Sequence, residues 1–466
     1  MICQWTEKDL LLATNGTLTK PLNTVGTGVS IDTRTLKKGD IFIALVGERN
    51  NGHLYVKKAF ELGACCAIVS QSIDEKKSNI YPLLRVPNTY DALTKMGFYA
   101  RTRFKGKMIA ITGSVGKTTT KEMMKVVLSH FHKTHAALGS YNNHLGVPLT
   151  LANLDKNAYY CVCEIGMNHP NEIAPLAHMV KPNIAMVTEI SSSHLEFMQS
   201  LDDIALEKSE IVSGLLKNGT LILPENLYGL QYFINKTLNK PIEILKVGIS
   251  VSADILLKEI QLTKTGSNFA SVINGQHIPF YLSDPGYHLV KNAGLVIGAA
   301  SSLGLDMKKV AQALSTFNAG AGRGKQILLH YKNVVILDES YNASALSIQA
   351  CLKTLKLIAS KRKIAVLGDI KELGQFSQNE HLSLIPYLLK YTDRVFACGP
   401  MMKIVFDHLP QHLQGAWGPS ANNLIPFIQD DLLEYDTLLI KGSHSMNMNT
   451  IIHALTVLAK RNKDAL

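Results

Sequence analysis

The sequence has no apolar run long enough for a membrane-spanning helix, which needs about 18 consecutive apolar residues. The stretch from Leu295 to Leu305 is largely apolar, but glycines and serines interrupt it. The first residues also lack the basic start and long apolar core of a signal peptide. These absences predict a soluble, cytoplasmic protein with no membrane span.

No C-x-x-C pair occurs among the seven cysteines, which excludes a zinc ribbon and a thioredoxin motif. An odd number of cysteines, placed mostly in apolar stretches, favours reduced and buried thiols. Long basic runs are absent as well, so we expect no nucleic-acid partner. The net charge of +11 fits an anionic ligand such as a nucleotide, and it fits an ordinary basic surface equally well.

The sequence does have the composition of a folded chain, with 46% hydrophobic and 18% charged residues. A disordered chain would contain fewer apolar residues. At roughly 150 residues per domain, the 466 residues predict three domains, which we place at 1–104, 105–320 and 321–466. Apolar strands alternate with helical patterns in the second and third segments, so we predict an α/β protein whose central sheet is mainly parallel.

A glycine-rich turn stands between a predicted strand, Met108 to Thr112, and a predicted helix. Its sequence is Gly113-Ser114-Val115-Gly116-Lys117-Thr118. In this context backbone N–H groups point at phosphate oxygens, the lysine supplies positive charge and the threonine hydroxyl binds Mg²⁺. Ile111 stands where the longer motif has a further glycine, so the loop is a shortened variant. The turn predicts nucleotide binding, and the alternative is a glycine turn with an incidental lysine.

A lysine occupies an unusual position in the segment from Leu201 to Leu215, which the periodicity predicts to be an amphipathic helix. Ser200 and Asp203 form a plausible capping pair at its start. Lys208 falls in the middle of the apolar stripe, although lysine is rarely buried without a partner. Its side chain could reach the surface or pair with a carboxylate. Alternatively, a buried and neutral amine would be reactive and could form an adduct.

Three further polar residues follow or end predicted strands, and each is weak evidence alone. Glu164 and Asp338 end apolar strands, and His194 follows another strand in a polar loop. A single loop histidine is usually solvent-exposed. Because ligands bind at the carboxyl ends of parallel strands, the three residues together predict a nucleotide and metal cleft between the second and third domains.

Several segments, in the same order along the whole chain, resemble the Mur ligases, and in particular their pentapeptide-forming members. The segments are Ser30-Ile-Asp-Thr-Arg34, Gly52-His53, the phosphate loop, Asn142-Asn143-His-Leu-Gly-Val-Pro, Glu164-Ile-Gly-Met-Asn-His169, His194-Leu-Glu, Ala205-Leu-Glu-Lys208, Gly322-Arg323-Gly, Asp338-Glu-Ser-Tyr-Asn342-Ala, Leu367-Gly-Asp369-Ile-Lys-Glu-Leu-Gly374 and Lys441-Gly-Ser-His-Ser-Met446. The D-N-P-R stretch of the members that add meso-diaminopimelate is missing, which favours the pentapeptide-forming members.

The resemblance implies a small N-terminal domain that binds a UDP-sugar, a central ATP-binding domain and a C-terminal Rossmann-like domain. It implies ATP-dependent joining of D-alanyl-D-alanine to UDP-N-acetylmuramoyl-tripeptide through an acyl phosphate, for peptidoglycan precursor synthesis. The implied cofactors are ATP, two Mg²⁺ ions and CO₂, the last as a carbamate on the lysine. A monomer is the expected state.

The resemblance also implies roles for individual residues. The catalytic residues are Lys117, Glu164, His194 and Lys208. Thr118 and Glu164 would bind the first metal ion, and His194 and Lys208 the second. ATP would contact Gly113, Ser114, Val115, Gly116, Lys117, Thr118, Thr119, Asn292, Arg323, Asp338 and Asn342. The UDP-sugar would contact Ser30, Asp32, Thr33, Arg34, Gly52 and His53, and the acceptor region would include Asn143, Lys441 and Ser443.

Three positions depart from the family pattern. Leu289 replaces the first asparagine of H-N-x-x-N, Glu189 replaces the asparagine of T-N-I, and His444 replaces the arginine of K-G-S-R-S-M. Other functions stay open: a tripeptide-forming Mur-type ligase, a P-loop ATPase without ligase activity, and a non-catalytic nucleotide-sugar-binding protein. A folylpolyglutamate-synthase-like enzyme would lack the segment from Ser30 to Arg34.

Overall fold

The computed structural model of the protein describes residues 4–48, 50–73, 80–193 and 195–463. It contains three sheets, one in each of three consecutive α/β regions, so the predicted architecture is confirmed. The predicted boundary at residue 104 falls between a helix that ends at Arg103 and a strand that begins at Lys107. The boundary at residue 320 falls between a helix that ends at Ser315 and a strand that begins at Lys325.

The N-terminal sheet has five strands in the order β1-β5-β4-β3-β2, and only the β1–β5 pair is antiparallel. Its strands are β1 (Thr17–Leu18), β2 (Gly28–Ser30), β3 (Asp40–Ile43), β4 (Cys66–Val69) and β5 (Leu83–Arg85). The helices of this region are Glu7–Thr14, Val56–Glu61 and Thr89–Arg103, with a 3₁₀ turn at Gly52–Tyr55.

The central sheet has nine strands in the order β14-β13-β12-β11-β10-β9-β6-β8-β7. They are β6 (Lys107–Thr112), β7 (Thr134–Ala136), β8 (Tyr160–Glu164), β9 (Ile184–Val187), β10 (Thr220–Pro224), β11 (Glu243–Gly248), β12 (Ile255–Thr263), β13 (Gly266–Ile273) and β14 (Gln276–Leu282). The helices are Lys117–Phe131, Gly146–Ala152, Ile173–Val180, Leu195–Met198, Leu201–Ser209, Leu230–Thr237, Tyr287–Ser302 and Met307–Ser315, with a 3₁₀ turn at Glu210–Gly214. The strands from β7 to β12 pair in parallel, and β13 and β14 add an antiparallel extension.

The C-terminal sheet has six strands in the order β15-β16-β20-β17-β18-β19, of which only β15 is antiparallel. They are β15 (Lys325–Leu329), β16 (Val334–Glu339), β17 (Lys363–Gly368), β18 (Arg394–Cys398), β19 (Gln414–Gly418) and β20 (Thr437–Lys441). The helices are Ala345–Ile358, Ser377–Leu382, Ile385–Tyr391, Pro400–Asp407, Ala421–Asp431 and Asn449–Lys463, and 3₁₀ turns lie at Tyr331–Asn333, Gly374–Phe376, Gln411–Leu413 and His444–Met446.

The position of β6 follows from its composition. Residues 108–111 of this strand are fully buried, as expected for a parallel strand that helices cover on both faces. Its neighbours β8 and β9 run parallel to it, so the three carboxyl ends meet at one edge of the sheet. Within the described parts of the chain, no helix combines the length and the apolar character that a membrane span requires.

Candidate active site

A cleft of about 1230 Å³ lies between the central and the C-terminal regions. The carboxyl ends of β6, β8 and β9 open into it from one side, and the segments before β15 and after β16, β17 and β20 face them. Of the predicted site residues, it is lined by Ser114, Val115, Gly116, Lys117, Thr118, Thr119, Glu164, Asn292, Arg323, Asn342, Lys441 and Ser443. The geometry therefore brings together most of the residues that the sequence assigned to ATP.

The glycine turn after β6 has the backbone conformation of a phosphate loop. Gly113 has φ 140° and Gly116 has φ 89°, a region that favours glycine. A Cβ at Gly113 would lie 2.0 Å from Thr188 Oγ1, and one at Gly116 would lie 2.9 Å from Asn292 Oδ1. Both glycines are thus required by conformation and by space. The helix that begins at Lys117 then presents its N-terminus to the cleft.

The segment after β9 holds this loop in place. Ser114 N donates to Glu189 O at 2.6 Å, and Ser114 Oγ donates to Ser191 O at 3.0 Å. Thr188 Oγ1 donates to the Val115 carbonyl at 2.5 Å. These bonds fix the loop backbone, so its remaining N–H groups are preorganised for an anion.

Lys117 folds back over its own loop. Its Nζ donates to the carbonyls of Gly113 at 2.7 Å and of Ser114 at 3.4 Å. Burial lowers the pKa of the ammonium, the nearby Glu164 carboxylate opposes this shift and the Arg323 guanidinium adds to it. Two cationic groups from opposite sides of the cleft therefore converge near one carboxylate.

Glu164, at the end of β8, is almost fully buried with a relative exposure of 1%. Its Oε2 accepts from Thr118 Oγ1 at 2.7 Å, and its Oε1 accepts from Asn142 Nδ2 at 2.7 Å. The Thr118 hydroxyl also lies 3.0 Å from Ser140 Oγ. A carboxylate beside a hydroxyl at the end of a phosphate loop is a donor set that suits Mg²⁺.

Lys208 is buried, with a relative exposure of 1%. Burial lowers the pKa of its amine well below the usual value, the positive charge of Lys117 lowers it further, and Glu207 acts in the opposite direction. The Glu207 carboxylate is itself engaged by the backbone N–H groups of Asn171 and Ile173, at 2.9 and 2.8 Å. No hydrogen bond or ion pair of Lys208 Nζ is found among the described residues. Because the Lys208 side chain is buried, the interpretation that it reaches the surface is wrong.

The helix that carries Lys208 starts as predicted and ends earlier. Ser200 Oγ accepts from Asp203 N at 3.0 Å, which confirms the capping pair. The α-helix ends at Ser209 and continues as the 3₁₀ turn Glu210–Gly214 rather than as one helix to Leu215. A Cβ at Gly214 would lie 2.1 Å from the carbonyl oxygen of Ala177, so the chain here packs tightly on the neighbouring helix.

The predicted metal-binding residues are only partly covered by the described residues. His194 lies outside the described residues, so its predicted metal role stays a prediction. Within the described residues, no group of three or more His, Cys, Asp or Glu side chains could hold a metal ion. Any cation here would depend on oxygen donors of other kinds, such as a hydroxyl, or on groups outside this set.

Arg323 reaches the cleft from the C-terminal region. Its guanidinium lies over the Tyr341 ring at 3.8 Å and donates to Ser140 Oγ at 2.8 Å. The buried Asp338 carboxylate accepts from Gly322 N at 2.7 Å and from Ser340 Oγ at 2.6 Å. Asp338 therefore positions the turn that carries Arg323 and does not line the cleft. Its predicted contact with ATP stays a prediction.

Two residues of the predicted acceptor region lie close together on the C-terminal side. Lys441 Nζ donates to Asn342 O at 2.8 Å and lies 3.5 Å from Glu339 Oε2. Ser443 Oγ accepts from Lys371 N at 2.8 Å. Asn143 is elsewhere: its Oδ1 accepts from Gly146 N at 2.9 Å, which supports the start of the helix Gly146–Ala152.

Ser140, Asn142 and His381 were not among the predicted site residues. Ser140 makes hydrogen-bond contacts with Thr118 and Arg323, and Asn142 donates to Glu164. In the sequence, the family-like segment that begins at Asn142 was the one signal for this part of the chain. His381 Nε2 accepts from Ile370 N at 2.9 Å, and burial lowers the pKa of the ring. It orders the segment of residues 369–374, and no pattern in the sequence indicated this contact.

The predicted UDP-sugar residues form a separate group in the N-terminal region, outside the cleft. Asp32 and Arg34 make a 2.6 Å ion pair that lowers the pKa of the Asp32 carboxyl, and Ser30 Oγ donates to Asp32 O at 2.9 Å. His53 Nε2 accepts from the Ser70 N–H at 2.9 Å, and burial lowers the pKa of the ring.

Gly52 and Thr33 complete this N-terminal group. A Cβ at Gly52 would lie 2.7 Å from Leu45 O, so glycine is required there by space. Thr33 is half-buried beside the ion pair of its two neighbours. The whole group stays a predicted site.

The three departures from the family pattern have definite surroundings. Leu289 is 2% exposed and packs in the central core. Glu189 forms an ion pair with Lys291, and both line the cleft. The ring of His444 lies 5.4 Å from that of Tyr341. Asn292 keeps the place of the second asparagine, against Gly116.

Comparisons with known proteins agree with this geometry. The Mur ligase middle domain matches residues 111–300, and the glutamate ligase domain of Mur ligases matches residues 322–444. The UDP-N-acetylmuramoyl-tripeptide–D-alanyl-D-alanine ligase of Rickettsia prowazekii is 35% identical over 96% of this chain and 99% of its own length. The enzyme of that name from Bacillus subtilis is 30% identical over 97% and 98%. A crystal structure of MurF from Acinetobacter baumannii superposes with a TM-score of 0.87 at 30% identity, covering 98% of this chain and 99% of that one.

Proposed function

The chain belongs to the Mur ligase family, and from this premise we propose that it joins D-alanyl-D-alanine to UDP-N-acetylmuramoyl-tripeptide with conversion of ATP to ADP and phosphate. The observation that carries the proposal is the cleft in which Lys117, Thr118 and Glu164 face Arg323. The names of the relatives, which match nearly the whole chain, support this substrate pair. The product is a UDP-linked pentapeptide for peptidoglycan.

The reaction needs activation because a carboxylate is a poor electrophile. An oxygen of the terminal carboxylate of the tripeptide attacks the γ-phosphorus of ATP, the bond to ADP breaks, and an acyl phosphate forms. The amine of D-alanyl-D-alanine then attacks the acyl carbon. The bond from that carbon to phosphate breaks, a proton leaves the nitrogen, and an amide and free phosphate result.

Lys117 and Arg323 stabilise the charge that gathers when the γ-phosphate meets the carboxylate. The two cations approach from opposite sides of the cleft. The negative charge of Glu164 raises the pKa of the Lys117 ammonium, and the positive charge of Arg323 lowers it. Thr118 and Glu164 would hold a first Mg²⁺, which supplies charge neutralisation at the phosphates when bound. The short contact between the Thr118 hydroxyl and a buried carboxylate oxygen supports this assignment.

Lys208 would contribute to a second Mg²⁺ site as a carbamate, together with His194. Burial favours the neutral form of this amine, whose nitrogen can attack CO₂, form an N–C bond and release a proton. The carbamate would offer anionic oxygen atoms where the amine offered only nitrogen, and oxygen is the type of ligand that Mg²⁺ requires. Support comes from the burial of Lys208 and from the lack of a partner within the described residues.

The N-terminal region would bind the UDP-sugar end of the donor through Ser30, Asp32, Thr33, Arg34, Gly52 and His53. Asn292 and Asn342 would contribute to the ATP site, and Lys441 and Ser443 to the acceptor region. The expected state is a monomer acting in the cytoplasm, where ATP is available.

The test is the release of phosphate from ATP with Mg²⁺ and UDP-N-acetylmuramoyl-tripeptide, with and without D-alanyl-D-alanine. Donors with lysine or meso-diaminopimelate as the third residue are compared. We expect release only when both substrates are present, with a product that is heavier by one dipeptide residue. Release that ignores the dipeptide would instead identify an ATPase without ligase activity.

A second arm addresses the tripeptide-forming alternative. It supplies the UDP-linked dipeptide donor with a single diamino acid in place of D-alanyl-D-alanine. Phosphate release that depends on this pair would replace the proposed substrates with those of a tripeptide-forming ligase.

A further inference from the structure

A carboxylate lies beside the phosphate loop, where a negative charge opposes an anionic ligand. Glu189 follows β9, and its carbonyl accepts from Ser114 N of the loop at 2.6 Å. A Cβ at Gly113 would lie only 3.1 Å from the backbone of Glu189. The backbone of Glu189 is thus held against the loop, and its half-buried side chain lines the same cleft.

Lys291 balances this charge from another element. It lies on the helix Tyr287–Ser302, and its ammonium forms an ion pair with the Glu189 carboxylate. The two side chains are 39% and 24% exposed, so water screens the pair only in part. The next residue, Asn292, contacts Gly116, so this helix and the segment after β9 enclose the loop from two directions.

We infer that Glu189 and Lys291 act as one neutral unit, in which Lys291 is a positioning residue that allows the phosphate loop to accept a nucleotide despite Glu189. The inference rests on the proposed use of ATP. The Lys117 ammonium is directed to carbonyls of the loop, and among the described residues it is not found in an ion pair with Glu189. Within the described residues, Lys291 is the partner found in an ion pair with Glu189.

This arrangement predicts an asymmetry between single and double variants. Lys291→Met keeps the apolar stem but leaves an unpaired carboxylate beside the phosphates. Glu189→Gln removes the repulsive charge and leaves Lys291 free. The double variant contains neither charge, so the local field is again neutral.

The experiment measures binding of Mg-ADP to the full-length chain by titration calorimetry, without tripeptide or dipeptide. We expect the dissociation constant to rise about tenfold in Lys291→Met, because a single charge acts on the phosphates across a partly screened gap. Glu189→Gln should bind as tightly as the parent chain or more tightly. The double variant should return to within about threefold of the parent, since the opposed charges cancel. In turnover assays the effect should lie in KM for ATP, with kcat within about twofold.

A matched control uses the ion pair of Lys236 and Glu210, whose side chains are 35% and 25% exposed and which does not line the cleft. Lys236→Met should leave Mg-ADP binding unchanged. A double variant at Glu189 and Lys291 that binds as weakly as Lys291→Met would overturn the inference, because Lys291 would then contact the nucleotide itself. An unchanged Lys291→Met variant would overturn it too.

The outcome for the pair can be distinguished from the outcome for the proposed function. A chain that shows the expected cycle of binding constants but no dipeptide-dependent phosphate release supports the pair and contradicts the ligase assignment. A parent chain that does not bind Mg-ADP contradicts both.

Discussion

The junction between the N-terminal and central regions is built very differently from the one between the central and C-terminal regions. At the first, the helix Thr89–Arg103 packs along the helix Gly146–Ala152. The buried Trp5 indole donates to Ala152 O at 2.8 Å. The Asn153 amide accepts from Val29 N at 2.8 Å and donates to Val29 O at 2.9 Å, so it pairs with the edge strand β2 as a further strand would.

The second junction surrounds the cleft with polar side chains that meet across it, beside a buried apolar cluster that spans both regions and a backbone hydrogen bond from Glu196 N to Glu372 O at 3.1 Å. Arg323 donates to Ser140 Oγ at 2.8 Å, and Ser192 Oγ donates to Glu380 Oε2 at 2.6 Å. Beside them the turn Gly374–Phe376 packs on the helix Leu195–Met198. Both of these side-chain hydrogen bonds are only partly buried.

The difference separates two tasks. A buried junction with paired backbone groups fixes the N-terminal region relative to the phosphate loop. A polar junction across a cleft can open to admit nucleotide and close to bring Arg323 to the phosphates. The comparison predicts that changes at the cleft alter chemistry, whereas changes at the N-terminal junction alter stability.

The largest effect is expected for Lys208, the buried lysine of the central region. Lys208→Met keeps much of the volume but cannot form a carbamate. Turnover should fall roughly a thousandfold, because a bound metal ion contributes several kcal/mol of charge stabilisation. The measurement is phosphate release with both substrates, and short carboxylic acids should restore part of the activity of Lys208→Ala.

The control for this prediction is Lys217→Met, which changes an exposed lysine of the same region. It should retain full activity. Full activity of Lys208→Met would show that the amine has no metal-binding role and that the cleft functions without it.

Arg323 provides the next largest effect, since it is the cation contributed from across the polar junction. Arg323→Ala should lower kcat/KM roughly a hundredfold, the loss typical of one preorganised charge-stabilising group. The melting temperature should stay close to that of the parent chain. Arg323→Lys keeps the positive charge but loses the planar contact with Tyr341. Its kcat/KM should lie between the values of the parent chain and of Arg323→Ala. Equal activity of all three proteins would contradict the proposed closure.

Asn153 tests the other side of the comparison. Asn153→Ala leaves the N–H and C=O of Val29 without their partner, so stability should fall by about 1–3 kcal/mol. Urea unfolding can be followed by the fluorescence of Trp5 after Trp417→Phe removes the other tryptophan. With saturating substrates kcat should change little. A variant with parent stability and strongly reduced kcat would reverse the roles that we assign to the two junctions.

Much of the fold followed from local patterns. Continuous apolar runs predicted β6, β8 and β9. The glycines before Lys117 predicted the loop, and in the structure a side chain at either glycine would come too close to a neighbouring atom. Lys208 was conspicuous because it is a charged residue at a position where the helical periodicity predicts an apolar one. These inferences concern single elements and their immediate neighbours.

Contacts between distant segments could not be predicted in this way. Asp338 supports the turn at Gly322, and Ser140 meets Arg323 over a separation of 183 residues. The pairing of Glu189, one of the departures from the family pattern, with Lys291 joins two segments that are 102 residues apart. Such contacts depend on how sheets and helices pack, which neither spacing nor composition specifies.

The smallest effect is expected for Ser192, which makes a single hydrogen bond across the polar junction and therefore forms a counterpart to Asn153. Ser192→Ala leaves the Glu380 carboxylate free to bind water, so the free energy of unfolding should change by less than about 0.5 kcal/mol. If the junction opens and closes in each cycle, this bond contributes little to the closed state, and kcat should stay within about twofold of the parent value. The same urea titration measures both variants. A loss of stability as large as that of Asn153→Ala would show that the cleft-side junction is as firmly fixed as the N-terminal one, and closure around ATP would then have to come from within a domain.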